Sequence, residues 1–442
     1  LKKWAAQIAT RFLTRYGRPK FAEDGAKPFA RKFASDVAPL LLNSMLGLLA
    51  ASARGRWVSR RVRQLAFTYV CSAVEVGSLY KLLKPHLEFV LFECTLPTMC
   101  PTPLDIKRFS EDPQEFVRRA HDPLEDFYEP RAAATALVGD LVRCKGKVVL
   151  DPLLQRIASV LEAYQQAPSL ETARQKDGAL CALGAIADEL QSRNNWAPLI
   201  AALLATHVLP DLEQGSPFGI LRCRACETLQ RFSEHTAVTE INQRVCAALL
   251  RSLDDPDLPV RVEAFGLVRS LLASDVGQFD QLLRPHLGTL LDACFRVMRE
   301  AASDDVVQAL EIVVDRYGKD IAPYAVALAQ KLAEAFHAYA GEDDDEEASM
   351  AAVQCVEAMA AVLASLDDNE NNVYAQLEPY LRPVLHRVFE ESGEFLEYFE
   401  NGIEVRSRRP AVLQCLHAID ARRLQERRSW VVSFSILRPF GP

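Results

Sequence analysis

Glycine is scarce in this chain, at 19 of 442 residues, and runs in which β-branched residues alternate with polar ones are hard to find. Turn-rich and extended-sheet folds need those residues, so an all-β architecture is excluded. No stretch reaches the roughly 18 to 20 uninterrupted apolar residues of a membrane span. The opening LKKWAAQIAT also lacks the basic, apolar, small-residue order of a signal peptide. The expectation is a soluble, intracellular chain with no membrane partner.

Catalytic signatures are missing as well. The eight histidines are dispersed, and H-E-x-x-H, the two phosphate-cradling glycine loops and the Gly-x-Ser-x-Gly elbow are all absent. No enzyme is expected, and no catalytic, cofactor-binding or metal-ligating residue is assigned. Two carboxylate clusters have the residue types that hold magnesium, Asp343-Asp344 with Glu347 and Asp367-Asp368 with Glu370. Both read as loops between helices, and a helix-lined cavity is the usual setting for such chemistry. The 11 cysteines are odd in number and sit singly inside apolar stretches such as Tyr69-Val70-Cys71, the pattern of reduced core thiols. Cys223 and Cys226 make the one C-x-x-C. With no second pair or histidine at zinc spacing, they read as two buried thiols on one helix.

What remains is ample core material. Apolar residues make up 49% and charged residues 25%, as in ordinary folded proteins, and the length is about three times a common domain. Abundant Ala and Leu point to helices. The helices recur in pairs, with a small residue at the middle of each second helix: Ala134, Ala179, Ala225, Ala264, Ala309 and Cys355, separated by 45, 46, 39, 45 and 46 residues. A repeat of about 40 to 47 residues is that of HEAT repeats. A small side chain there lets two helices approach closely while apolar neighbours fill the seam. The predicted fold is therefore an all-α HEAT-repeat solenoid over residues 1–402. An earlier pair is expected from Phe33–Leu49 and Val58–Glu75. Residues Ile8, Phe12 and Leu13 already share a helical face, so the array is expected to continue a longer one that precedes residue 1.

Local chemistry marks the boundaries. In Asp254-Asp255-Pro256-Asp257-Leu258-Pro259, acids sit at a helix start and Pro259 falls in the first turn, where its missing N–H costs nothing. Leu83-Lys84-Pro85-His86, Leu283-Arg284-Pro285-His286 and Leu381-Arg382-Pro383 each place a proline where a first helix is expected to begin. Lys145-Gly146-Lys147 reads as a basic turn at a helix C-terminus.

Three segments break the pattern. Residues 97–130 add some 25 residues to one repeat, which in a solenoid marks a functional insertion. Residues 341–347 form an acidic loop, Gly341 followed by Glu342, Asp343, Asp344, Asp345, Glu346 and Glu347. After Gly402 the pattern is lost, and 403–442 reads as a divergent tail or as sequence from a wrong frame or splice choice.

Net charge is −8, unevenly distributed. Residues 1–64 carry 14 Lys and Arg against 3 Asp and Glu, and 403–442 carry 8 against 3, which leaves the middle at −24. Such a body repels nucleic acid and attracts basic proteins, and a solenoid offers a long surface on which to wrap them. An ordinary solvated acidic surface is the plainer alternative.

The insertion is also where the chain becomes recognisable. Glu111-Asp112-Pro113-Gln114-Glu115-Phe116-Val117-Arg118, followed by Asp122-Pro123-Leu124-Glu125-Asp126-Phe127 and Pro130-Arg131-Ala132-Ala133, resembles a segment of the importin-β superfamily. Within it the importin-seven/importin-eight branch is the nearest in pattern. Arg174–Leu180, Leu253–Asp255, Pro259–Ala264 and Leu83–His86 agree too, so the resemblance runs in order from about residue 10 to 400. It implies a nuclear transport receptor moving between cytoplasm and nucleus. Its implied partners are basic cargo, Phe-Gly nucleoporins and the GTPase Ran, whose main contacts would lie in repeats before residue 1. Phe-Gly pockets would lie between adjacent first helices. The loop 342–347 is similar in kind to loops that contact cargo or Ran. Glu111, Asp112, Glu115 and Arg118 are candidates for a latch pairing with a neighbouring repeat; alternatively the insertion only caps a seam through Phe109, Phe116 and Phe127. The other reading of the whole chain is a static HEAT scaffold without Ran sensitivity.

Overall fold

The computed structural model describes residues 2–121, 128–192, 196–234, 240–273, 278–301, 303–340, 346–364, 366 and 373–390. Every regular element among them is helical. The helices form two compact units, Leu1–Gln278 and Phe279–Pro442.

In the first unit, α1 (Lys2–Tyr16), α2 (Ala38–Ala53) and α3 (Arg60–Glu75) open the array, with α1 and α2 both packed on α3. The first-helix segment 77–99 follows, then the insertion helices α4 (Pro103–Glu111) and α5 (Pro113–His121). The remainder comprises α6 (Pro130–Gln166), α7 (Leu170–Ala185), the helical segment 197–213, α8 (Gly219–Arg231), α9 (Asn242–Ser252) and α10 (Leu258–Ala273). The second helices stack in chain order: α1 on α3, α3 on α6, α6 on α7, α7 on α8 and α8 on α10. In the second unit, α11 (Leu287–Glu300) packs on α12 (Asp304–Tyr317), and α12 packs on α14 (Glu346–Ala364). There α13 (Ala325–Tyr339) lies against both α14 and α15 (Val373–Glu390).

The small-residue register holds in three dimensions. Ala134, Ala225, Ala264, Ala309 and Cys355 are fully buried and Ala179 nearly so, each in the seam of its second helix. Larger side chains fill the layers on either side. Phe67, Phe232 and Phe265 are almost wholly buried, each contributing on the order of 2 to 3 kcal/mol of apolar transfer.

Prolines shape the first helices differently from the expectation. Pro85 and Pro285 sit in 3-10 turns, Lys84–His86 and Arg284–His286, that bend a first helix already begun at Gly77 or Gln278. Pro383 lies inside α15. A second proline effect was not foreseen. Phe33–Val37, Phe89–Thr95 and Leu204–Val208 are π-helical, and each runs into a helix whose second residue is proline: Pro39, Pro97 and Pro210. A proline lacks the N–H for the i→i−4 bond and crowds the carbonyl four residues back, and a wider π turn relieves both.

Helix continuity also corrects the reading of apolar runs. Asp24–Ala53 is, by length and composition alone, apolar enough to cross a membrane, although Lys32, Asp36 and Asn43 break the run of letters. Here it packs as a repeat helix. Ala38, Leu42, Met45 and Leu49 are buried, and the Tyr69 hydroxyl on α3 donates to the Ala38 carbonyl at 2.9 Å. The basic turn at 145–147 is a kink with no loop: Lys145 has φ −135° and ψ 25° inside α6, and its Nζ lies 4.4 Å from the centre of the Tyr80 ring.

Candidate interaction surfaces

The insertion starts with a capping box: Thr102 Oγ1 accepts from the Asp105 N–H at 3.3 Å, and the Thr102 N–H donates to Asp105 Oδ2 at 2.7 Å. Two short helices then lie across three successive second helices. Cys100 rests on Gly178 of α7, where an added Cβ would come within 2.7 Å of its Sγ, and Arg174 Nε donates to the Pro101 carbonyl at 2.8 Å. Phe109, buried and edge-on to Phe116 at 5.1 Å between ring centres, presses on Gly219 of α8. Buried Val117 lies on α5, which packs against α10.

The candidate latch residues make their bonds close at hand. Glu111 pairs with Lys107 at 3.6 Å, Asp112 Oδ1 accepts from the Glu115 N–H at 3.2 Å, and Glu115 takes two bonds from Arg118 at 2.7 and 2.9 Å. The Arg118 bond holds the Glu115 carboxyl below the usual carboxylate range. Contacts that span the repeats include those of Cys100, Pro101, Phe109 and Val117, of which only Phe109 was legible as a candidate, and the ion pair of Glu129 with Arg60 of α3. Asp122 to Phe127 lie outside the described residues. So do Glu342 to Asp345, Asp367, Asp368, Glu370 and the segment 403–442. Glu346 and Glu347 fall at the start of α14.

Beneath the insertion runs a line of ion pairs along the second helices. Asp177 on α7 is buried and holds two arginines, Arg131 of α6 and Arg224 of α8, the latter at 3.1 Å. Arg224 also pairs with Glu227, and Gln230 Nε2 donates to Glu263 Oε2 of α10 at 2.8 Å. Cys223, Glu227 and Glu263 bring ligand atoms within 4.8 Å of one another. Arg224 and Gln230 already engage both carboxylates, so the group acts as a hydrogen-bonded network. Burial, with Glu263 close by, pushes the Glu227 carboxyl up, against the pull of Arg224. Cys223 and Cys226 are buried on α8 as the sequence implies, and burial raises both thiols.

Two further clusters fix the same region. Buried Lys176 meets buried Asp211 at 2.7 Å, with its Nζ 4.4 Å from the Tyr164 ring centre. Burial lifts the Asp211 carboxyl to about 6 although Lys176 pulls it down. Arg222 bonds Asp255 at 2.7 and 3.0 Å and Asp257 at 2.8 Å, so the acidic start of α10 serves as a counter-charge as well as a helix cap. A separate cavity of about 450 Å³ opens between segment 77–99 and the second half of α6, lined by Pro85, Glu88, Phe89, Phe92, Glu93 and Arg156.

Stacked helical hairpins with a buried small residue at the heart of each second helix define a HEAT-repeat solenoid. Exportin Cse1 in its cargo-free, cytoplasmic state shares this fold at a TM-score of 0.66 and 16% identity, over 89% of this chain and 41% of that one. Kap121p does so at 0.56 and 14%, over 94% and 42%. No protein-family model matches the chain. Curated relatives do. The importin beta-like SAD2 homolog of Arabidopsis thaliana is 34% identical over 414 residues, covering 92% of this chain and 39% of that protein. Importin-8 of Homo sapiens is 28% identical over 404 residues, covering 90% and 38%. The chain belongs to the importin-β superfamily, and it spans about two fifths of the length of these relatives.

Proposed function

We propose that this chain is part of a nuclear transport receptor that carries protein cargo, basic in character, through the nuclear pore and releases it when GTP-bound Ran engages. The observation that carries the reading is the 34% identity to an importin beta-like protein across 92% of the chain. The acidic middle supplies the sign of the cargo. Among the structural neighbours, Kap121p has been seen bound to Pho4p and to Nup53p, and Kap95p with RanGDP. The corresponding partners proposed here are a cargo, Phe-Gly nucleoporins and Ran, met in the cytoplasm, the pore and the nucleus. No catalysis is invoked: in a solenoid, small shifts at each neighbour interface add up, so one ligand changes the fit of another by shifting populations. Residues 342–347 are proposed as a contact for basic ligands. The insertion is proposed as a latch, with Glu111, Asp112, Glu115 and Arg118 exchanging local partners for those of a neighbouring repeat.

The test is Ran binding, with GTP and with GDP loaded separately, to the chain joined to the N-terminal repeats of a relative. Tight binding of the GTP form alone supports a transport receptor. Equal or absent binding to a folded array overturns it and leaves a static scaffold.

A further inference from the structure

We infer that the cavity between segment 77–99 and the second half of α6 is a docking pocket for one long cationic side chain, a lysine or arginine, of an extended segment of a partner protein. The cavity measures about 450 Å³, enough for such a side chain and the peptide unit that bears it. Phe89 and Phe92, both half-buried, line it, so part of their side-chain surface is accessible. Both lie in the π-helical stretch Phe89–Thr95 enforced by Pro97, and such turns recur where a helix presents side chains to a ligand.

The charges choose the occupant. Glu88 and Glu93 bracket the two rings in sequence, are exposed, and bear no ion pair; Lys84, one turn before Glu88, does not engage it. A cationic side chain suits the wall formed by Phe89, Phe92, Glu88 and Glu93. Its alkyl stem covers the phenyl rings, its head meets their negative faces, and the carboxylates supply the counter-charge. An uncharged aromatic would fill the same volume but screen two carboxylates from water without giving them a partner, which is unfavourable. An anion would meet two like charges against the single Arg156. Arg156, also exposed and unpaired, stands across the pocket on α6, placed to donate to main-chain carbonyls of an extended segment. The inference is independent of the transport reading, since a static scaffold would dock a basic segment in the same way.

The experiment uses the whole chain and three labelled glycine–serine peptides, carrying two lysines, two glutamines, or two phenylalanine–glycine pairs with no charge. After binding, a carbodiimide activates protein carboxyls, and a lysine amine in contact displaces the urea to leave an amide that mass spectrometry can place. The lysine peptide is expected to cross-link at Glu88 or Glu93, and an arginine peptide to compete it away. Its affinity, by fluorescence anisotropy, is expected to fall about tenfold in E88Q/E93Q and in F92A, with a shallower salt dependence in the former; the two exposed Glu→Gln changes are isosteric and leave the fold alone, as circular dichroism checks. Cross-links confined to other carboxylates overturn the inference. So does binding of the phenylalanine–glycine peptide that F92A abolishes and E88Q/E93Q leaves unchanged, because the pocket would then take an uncharged aromatic.

Discussion

Gly219 packs against the tip of the Phe109 ring: a Cβ at position 219 would stand 2.6 Å from Phe109 Cε1 and 2.1 Å from Asp257 Oδ2. Three stretches of chain far apart in sequence, the insertion and the starts of α8 and α10, meet there with no room for a methyl group. Gly219→Ala is expected to lift the insertion and destabilise the fold by about 1 to 3 kcal/mol in urea, with faster tryptic cleavage after Lys107 and Arg108. Gly47→Ala is the control. Its position in α2 has nothing within 4 Å, so it should be neutral or stabilise by up to about 1 kcal/mol. Unchanged melting and cleavage in Gly219→Ala would show that Phe109 is no wedge.

Asp177 is the shared counter-charge of Arg131 and Arg224, and its side chain is almost wholly buried while theirs are mostly so. Asp177→Ala leaves two guanidinium groups without their common partner, and a loss of roughly 3 kcal/mol is expected from urea titration. Asp177→Asn should cost nearly as much if charge, more than volume, is what matters. A loss below about 1 kcal/mol in both variants would mean that the arginines find other partners.

Asp211 gives the stability a pH dependence. Its carboxyl titrates at about 6 in the fold against an ordinary 3.8. The native state therefore binds the proton more tightly than the unfolded chain. This contribution is fully present below pH 3.8 and is lost as pH rises through about 6, by on the order of 3 kcal/mol. Subtracting the Asp211→Asn profile from that of the parent chain should leave a curve that falls between about pH 4 and 6. A flat difference would mean that Lys176 keeps Asp211 ionised throughout.

Replacing Glu342, Asp343, Asp344, Asp345, Glu346 and Glu347 together by their amides is expected to weaken binding of a basic peptide and to flatten its salt dependence. Equal affinity and slope would leave the segment as solvated surface.

The repeat was legible because one buried small residue per second helix is a purely local demand: Ala134, Ala225, Ala264 and Ala309 occupy the seam in three dimensions as they do in the spacing. Core thiols such as Cys226 were legible on the same grounds, whereas 145–147, read as a turn that ends a helix, is a kink inside α6. The contacts of the insertion were not. That Gly178 clears space for Cys100, or Gly219 for Phe109, depends on which distant segment arrives there, and no periodicity encodes it. Charged letters drew attention to Glu115 and Arg118, yet an i, i+3 pair on an exposed helix satisfies itself locally, while the burial that anchors the insertion came from Phe109 and Val117. The π-helical turns escaped because proline was read as a helix start, although in mid-helix it also dictates how the preceding turn is wound.

The bend at Lys145 joins the second helix of one pair to the first helix of the next without any connecting loop. Elsewhere in the array a loop can absorb a change of angle between neighbours. Here the arm that packs on α3 and the arm that leads to α7 belong to one helix, broken in its backbone angles at Lys145. One arm touches the seam of the opening pairs, and the other carries Arg156 at the edge of the pocket beside Phe89 and Phe92. The pocket wall at Arg156 is thereby tied, through one continuous helix, to the seam of the opening pairs.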